Sequence, residues 1–461
     1  MEKEILDLLH TLRAYALQKG LTALIEYHEE ESALMRFANS AISLNTNEHL
    51  VRLDFQGYDG RKRANFSMIT DPADLPAMRR GLDTLAEMLP HAQPLSYTPT
   101  LPHYAQDVSD TRACDPALAA LGNAERLAFF NTAARGFESP DLQLSGLFSS
   151  GVTTWAQIST TTEHTQYFQA SDAQVIVVIS SDNLKWEVNA EQSAQKKADL
   201  DAEALHAELA LLLAHYRSDP PVQLPLGRYT VVLGPAATAQ VVEMMAQIAL
   251  DGGNMRRGYS FLNEQHIGQP VLSPLFTLRD DPTALPTYPL SFDQMGLPHP
   301  LFPFFEQGIF RGFIWSQDDA DEFGQQPTGH SLPHLNLVLE PGSEPVASLA
   351  ELISRPRTED LLYVPYLHYM NVVNPSEGTI TGSSRFGALL LKRDGSVQVP
   401  YNVRLTQRFS DFFGENLAWL SRAQAVYNTS SSYSRRNPTA LCVPRLLCVK
   451  GIEISHSNSA Y

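Results

Sequence analysis

The pair His28-Glu29 is the one place in the chain where a histidine directly precedes a glutamate. A metallopeptidase commonly carries His-Glu-x-x-His, or a close variant, on a helix. That spacing sets both imidazoles on one face, with the glutamate beside them as base. Here Ser32 and Ala33 stand where a second ligand would be, and neither serves. His330 and His334 are four apart, but Pro333 between them spoils a helical ligand pair, so they read as polar loop residues. Were a zinc ion held, His330, His334 and Cys448 would be the place to look. Cys442 and Cys448 flank "VPRLL" at a spacing that matches no common zinc motif and read as buried strand cysteines, while Cys114 has no sequence neighbour that would activate it. Neither G-x-S-x-G nor a Walker loop is present, and Gly252-Gly253 reads as a helix C-cap rather than a phosphate cradle. The run "QDDADEFG" carries four acids, which could bind metal or work as acid and base; it reads as a solvated turn or a helix start.

These residues must be positioned by a chain of 461 residues, long enough for two domains. Its 43% hydrophobic and 18% charged residues are globular values. A net charge of −17 repels phosphate backbones and argues against nucleic-acid binding. Three cysteines make no disulfide framework. The opening residues show no basic head with an apolar core, and no apolar run reaches the length of a membrane span, so the expected location is the cytoplasm, with no membrane contact.

Ile5, Leu8, Leu9, Leu12, Tyr15 and Ala16 recur at helical spacing and predict an amphipathic first helix. Residues 21–68 alternate and predict a strand meander. Helices are expected over 71–89 and 115–134, strands over 142–179, and one long helix over 189–217. The fold class is α+β: an N-terminal α+β domain over 1–217, a Pro-rich linker over 218–227, and a β-rich C-terminal domain over 228–461 containing one clear helix, "AATAQVVEMMAQIAL". Within that second part, Tyr366 to Gly387 has the punctuation of two strands and a turn, with Asn374, Pro375 and Gly378 breaking it. Polar residues stud both strands. Such a pair can floor a cleft, with His368, Tyr369, Asn371, Asn374, Thr381 and Arg385 as its lining, or it can be the half-wet face of an ordinary sheet.

Several stretches together resemble the TldD/PmbA (TldD/TldE) family. They are "MRFANSAISLNTNEHLVRLDF", "RYTVVLGPAATAQVVEMMAQIAL", "RGYSFLNEQHIGQPVLSPLFTLRDDP", "FFEQGIFRGFIWSQDDADEFGQQPTGH", and the 366–387 stretch with the "GALLLKRDGSVQVPYNVRLTQ" that follows. TldD-type members are similar to zinc peptidases, with His-Glu-x-x-x-His on the helix after the "VVL" strand. That pattern falls here on Glu243, Met244 and Ile248, so all three functional positions are lost. Met and Ile offer zinc no suitable ligand. The resemblance therefore implies the metal-free TldE/PmbA side of the family, with no catalytic residue and no cofactor. It implies a cytoplasmic homodimer, or a heterodimer with a TldD-like subunit that supplies zinc, and a cavity wall that helps hold extended peptide. The alternative is an independent peptide- or small-molecule-binding protein or enzyme without zinc, for which His368, Glu377, Arg385 and Asp293 are the candidates. A third reading, modulation of DNA gyrase, rests only on the family's older name.

Overall fold

The computed structural model describes residues 2–458 apart from 102, 218–219 and 431–434. The first half holds α1 (Glu2–Gln18), β1 (Thr22–Ala38), β2 (Ala41–Asp59), β3 (Lys62–Thr70), α2 (Leu75–Met88), β4 (Val108–Ala113), α3 (Pro116–Ala119), α4 (Asn123–Ala134), β5 (Gln143–Ser159), β6 (Thr165–Ser181), β7 (Trp186–Ala194) and α5 (Ala202–Tyr216). The seven strands form one sheet in the order β3-β2-β1-β5-β6-β4, with β7 pairing β6 beyond the end of β4. Alternation along β1 divides its two faces. Ala23, Ile25 and Tyr27 pack under α1 and α2 with Leu9, Leu12, Leu82 and Leu85. Glu26, His28 and Glu30 point the other way and are buried all the same. A polar face that is buried needs a polar cover, and the second half of the chain supplies it.

That half contains β8 (Gly227–Leu233), α6 (Pro235–Ala249), α7 (Gly252–Arg256), β9 (Leu278–Asp280), β10 (Phe302–Glu306), β11 (Ile309–Phe310), α8 (Gln317–Phe323) and β12 (Leu337–Leu339). It continues with β13 (Leu361–Val364), β14 (Tyr366–Asn374), β15 (Thr379–Arg385), β16 (Leu389–Leu391), β17 (Val397–Gln398), β18 (Asn402–Arg408), β19 (Leu417–Leu420), β20 (Gln424–Asn428), β21 (Ala440–Pro444) and β22 (Leu447–Asn458). One sheet runs β11-β10-β9-β12-β21-β20. The other runs β14-β15-β18-β22-β8-β13-β16-β17, with β19 beside β22, so β14 is an edge strand. Both sheets pack into a core that includes Val241, Val242, Met245 and Ala249 of α6, which is why this helix is apolar on most sides. Another core joins Leu205, Leu209 and Leu212 of α5 to Val232, Leu389 and Cys448. The fold is α+β, with the second half dominated by strands.

Several local expectations need correction. Residues 189–217 are not one helix. Val188 and Ala190 alternate inward, pairing in β7 with Ile179 and Val177 of β6, and α5 starts only after Asp201, whose carboxylate accepts from the Glu203 and Ala204 amides. Residues 115–134 split at Gly122, whose amide donates to Glu125 at 3.0 Å. Gly252 and Gly253 do not end α6. They open α7 behind the N-cap Asp251, and a Cβ there would run into the Trp315 ring and the Asp319 carboxylate. The acid-rich run is α8, a helix start capped by Ser316. Asp318 pairs with Arg63 of the first half at 2.6 Å, and Asp319 pairs with Arg257 at 2.8 Å. Two residues of the proline-rich stretch, 218–219, lie outside the described residues. Val222 is already bonded to the second half, donating to the Val399 carbonyl at 2.8 Å and accepting from the Tyr401 amide at 2.9 Å.

Candidate functional site

The helix α6 carries Glu243, part-buried and close to Tyr427, which also neighbours Glu191 of the first half. Leu367 of β14 donates its amide to Gln240 Oε1 at 2.9 Å, tying β14 to the same face of α6. Burial, then neighbouring Glu191, Tyr366 and Glu243, push the Tyr427 phenol well above its usual range, so β7, β14, α6 and β20 bring these four residues close together. Burial alone pushes Glu243 up to about 7. Burial, then Glu208, pushes Glu191 up to about 8. Glu208 itself is raised by burial against the opposing Arg445. Glu191 and Glu243 retain accessible surface and Glu208 is exposed, yet all three lie deep within the protein mass. Surface at depth marks the wall of a recess. Glu191 and Glu243 there accept from N–H donors when ionised and donate their own O–H when protonated.

The sequence candidates fall into two groups. His368 and Arg385 stand at the open end of the hairpin, beside Tyr366, which was not among the candidates. Arg385 donates to Glu187 of β7 at 3.1 Å and lies over the Phe386 ring at 4.3 Å, and its other arm is 3.5 Å from His368 Nδ1. Burial, then Arg385, lowers the His368 pKa against the opposing Glu187. Asn371, Asn374 and Thr381 lie toward the far end. Asn371 donates to the Tyr369 carbonyl, Asn374 accepts from Ser376, and Thr381 donates to the Leu405 carbonyl while accepting from Arg404. The hairpin register shifts between His368 and Asn371, where Tyr369 adopts φ +50° and stands 71% exposed. A non-glycine residue held left-handed at a bulge is strained and re-aims its side chain outward. Tyr369 and, further along, Val373 are exposed apolar residues on an edge strand. Glu377 pairs with Arg408 at 3.0 Å at the turn, and Asp293 caps its own loop by accepting from the Met295 and Leu297 amides. Neither joins His368 and Arg385. Sequence reasoning missed Glu187, Glu191, Glu208 and Tyr427, whose convergence depends on strand pairing that no local spacing reveals.

The positions that the resemblance matches to the zinc motif do not fit a metal. Glu243 offers one carboxylate, while Met244 and Ile248 pack against the core. His28 and Glu29 cannot act as a unit, because they point to opposite faces of β1: His28 bonds the Arg436 carbonyl at 2.8 Å, and Glu29 meets His49 at 2.6 Å. Cys442 and Cys448 are strand cysteines on β21 and β22, their thiols pushed by burial up to about 11 and about 12. Two groups among the described residues have metal-like composition, Glu29 with Glu31 and His49, and the buried Asp280, His299 and His330. In the second, His299 Nε2 meets Asp280 at 2.9 Å and His330 Nε2 donates to the Pro300 carbonyl at 3.0 Å. A ligating histidine passes its second N–H to an acceptor. His299 Nδ1 lacks any partner and His330 Nε2 is spent on a carbonyl, so the trio reads as a hydrogen-bonded clamp between β9 and its loops. His334 is apart from it, stacked on Trp155 at 5.3 Å between ring centres.

Residues 226–456 match the family described as the PmbA/TldA metallopeptidase C-terminal domain. The chain belongs to this PmbA/TldD family. Among solved structures, TldE from Thermococcus kodakarensis is similar in fold, with a TM-score of 0.79 at 14% identity over 98% of this chain and 100% of that one. A protein described as a proposed modulator of DNA gyrase from Bacteroides thetaiotaomicron gives a TM-score of 0.78 at 16% identity over 97% and 98%. One similarly described from Thermotoga maritima gives 0.73 at 14% over 97% and 99%. No curated protein matched the chain.

Proposed function

We propose that this protein is the non-catalytic, TldE/PmbA-type subunit of a cytoplasmic TldD/TldE-type metallopeptidase that acts on unfolded peptides. The observation that carries this reading is the face of α6, where Glu243, Met244 and Ile248 stand at the motif positions and provide no ligand set. The subunit walls the cavity and holds substrate, while a TldD-like partner brings zinc and the bond-breaking step. The β14 edge suits this role. Its free backbone groups can add an extended peptide as a further strand, and the Glu187, Glu191 and Glu243 carboxyls beside it attract peptide N–H groups. The exposed Tyr369 and Val373 fit an interface with a second, like-folded chain, either another copy or the TldD-like subunit. No helix among the described residues is long and apolar enough to cross a membrane, which is compatible with this location. The test is an assay of an unfolded peptide by the protein alone, by a TldD-like chain alone, and by the two together. Unchanged partner activity and no complex would refute the role.

A further inference from the structure

The polar face of the first sheet encloses a second space, far from the recess. Trp155 and Phe168, which face each other across β5 and β6, mark its floor. Ile176, the β6 partner of Glu191, is eight residues along, roughly 26 Å away. The cavity measures about 150 Å³ and is roofed by Arg435, Pro438 and the loop holding Pro333 and His334. A space of that size holds a molecule of about six to eight heavy atoms.

Its polar lining is unsatisfied. His28 Nε2 must donate to the Arg436 carbonyl at 2.8 Å, because a carbonyl only accepts, and this leaves Nδ1 a bare acceptor. That atom has no partner, nor has Thr153 Oγ1, although the two residues are 3% and 2% exposed; the Trp155 indole N–H is directed at the Glu26 carboxylate. Buried polar groups are nearly always paired, and two neighbours that are not call for an occupant. Glu26, 8% exposed, lies two residues from His28 on the same face. It has no cation of its own. The nearby Arg435 donates to Asp54 at 2.8 Å, and Arg52 is committed to Glu30 at 3.4 Å. Burial, opposed by Arg435 and reinforced by Asp54, pushes Glu26 up to about 7. Burial, then Arg435, lowers both His28 and His334 to about 3, so neither supplies positive charge. Ionised Glu26 and Asp54 against Arg435 leave one negative charge in excess.

We propose that this cavity binds a primary ammonium group on a short apolar chain, whose N–H donors are accepted by the Glu26 carboxylate and His28 Nδ1 while Phe168, Leu290 and Pro438 enclose the chain. The amine can be a free aliphatic amine or the amino terminus of a peptide. The inference does not depend on the subunit role.

The test is calorimetry on the full chain with n-butylamine, 1-butanol, trialanine and N-acetyl-trialanine. We expect butylamine to bind at least tenfold tighter than butanol, Glu26→Gln to lose at least tenfold, and binding at pH 7 to release about half a proton as the cation replaces the proton on Glu26. Proton release is read on the unaltered protein, and Thr153→Val, losing severalfold, covers the case in which Glu26→Gln misfolds. If trialanine binds and its acetylated form does not, the site takes peptide amino termini; if only butylamine binds, it takes small amines. Equal binding of butylamine and butanol, no binding by any probe at 50 mM, or a soaked crystal showing only water in the cavity would overturn the proposal.

Discussion

Replacing Arg436 by Met should loosen the cover over the first sheet and destabilise the protein by about 3–5 kcal/mol, the range for removing one partner of a buried ion pair. Arg436 is 6% exposed. Its guanidinium grips Asp172 with two bonds of 2.8 Å and Ser149 with one of 3.0 Å, and its own amide donates to Glu30 at 2.5 Å. Gly151 makes room for it, since a Cβ there would sit 2.9 Å from Arg436 Nε. Without the guanidinium, Asp172, 2% exposed, keeps a carboxylate with no counter-charge. The Arg436→Met, Asp172→Leu double variant removes both charges, so it should recover most of the loss and give a coupling of at least about 2 kcal/mol. Urea unfolding of the four proteins measures this, with hydrogen exchange over 435–445 separating local release of the loop from global unfolding. A single-variant cost below about 1 kcal/mol, or a double variant no better than the single, would refute the reasoning.

Further outcomes follow from the recess and the edges. A glutamate whose folded pKa is raised loses folded-state stability as pH climbs from its unfolded value toward the folded one. Glu191→Gln should therefore stabilise the protein by about 1–2 kcal/mol at pH 8.5, allowing for water in the recess, and by nothing below about pH 4.5; paired urea titrations at the two pH values check the sign. Tyr369→Lys with Val373→Lys should weaken association with a like-folded chain at least tenfold in light scattering while leaving the urea midpoint unchanged, since both side chains are exposed. Trypsin should cut first after Arg217, which is exposed where α5 ends before the proline-rich stretch, if the domain boundary lies in 216–228; first cleavage within β8 or α6 would move that boundary.

Strands whose faces differ in polarity were legible before the structure. The alternation over residues 22–70 gives β1 to β3, and Asn374, Pro375 and Gly378 mark the turn that joins β14 to β15, with Gly378 at φ +63°. The stretch 189–194 misled because Ala, Glu and Gln are good helix formers; pairing with β6 overrides that weak preference. Gly252 and Gly253 carried two meanings, and the deciding one, close approach of Trp315 and Asp319, lies more than sixty residues away. Arg436 sits in a Ser- and Asn-rich loop with no periodicity, and its partner Asp172 is 264 residues distant. The recess was half visible. His368 and Arg385 stood out as polar residues in an apolar run, whereas Glu187 lay outside any predicted element and Glu191 and Glu208 fell within the stretch expected to be one long helix.

The most direct test of the subunit role is to purify this chain from zinc-supplemented medium, alone and with a TldD-like chain, and to measure zinc per complex and hydrolysis of an unfolded peptide together. The account predicts substoichiometric zinc and no hydrolysis for the chain alone, and one zinc with hydrolysis in the mixed complex. One tightly held zinc and peptide cleavage by the isolated chain would contradict it.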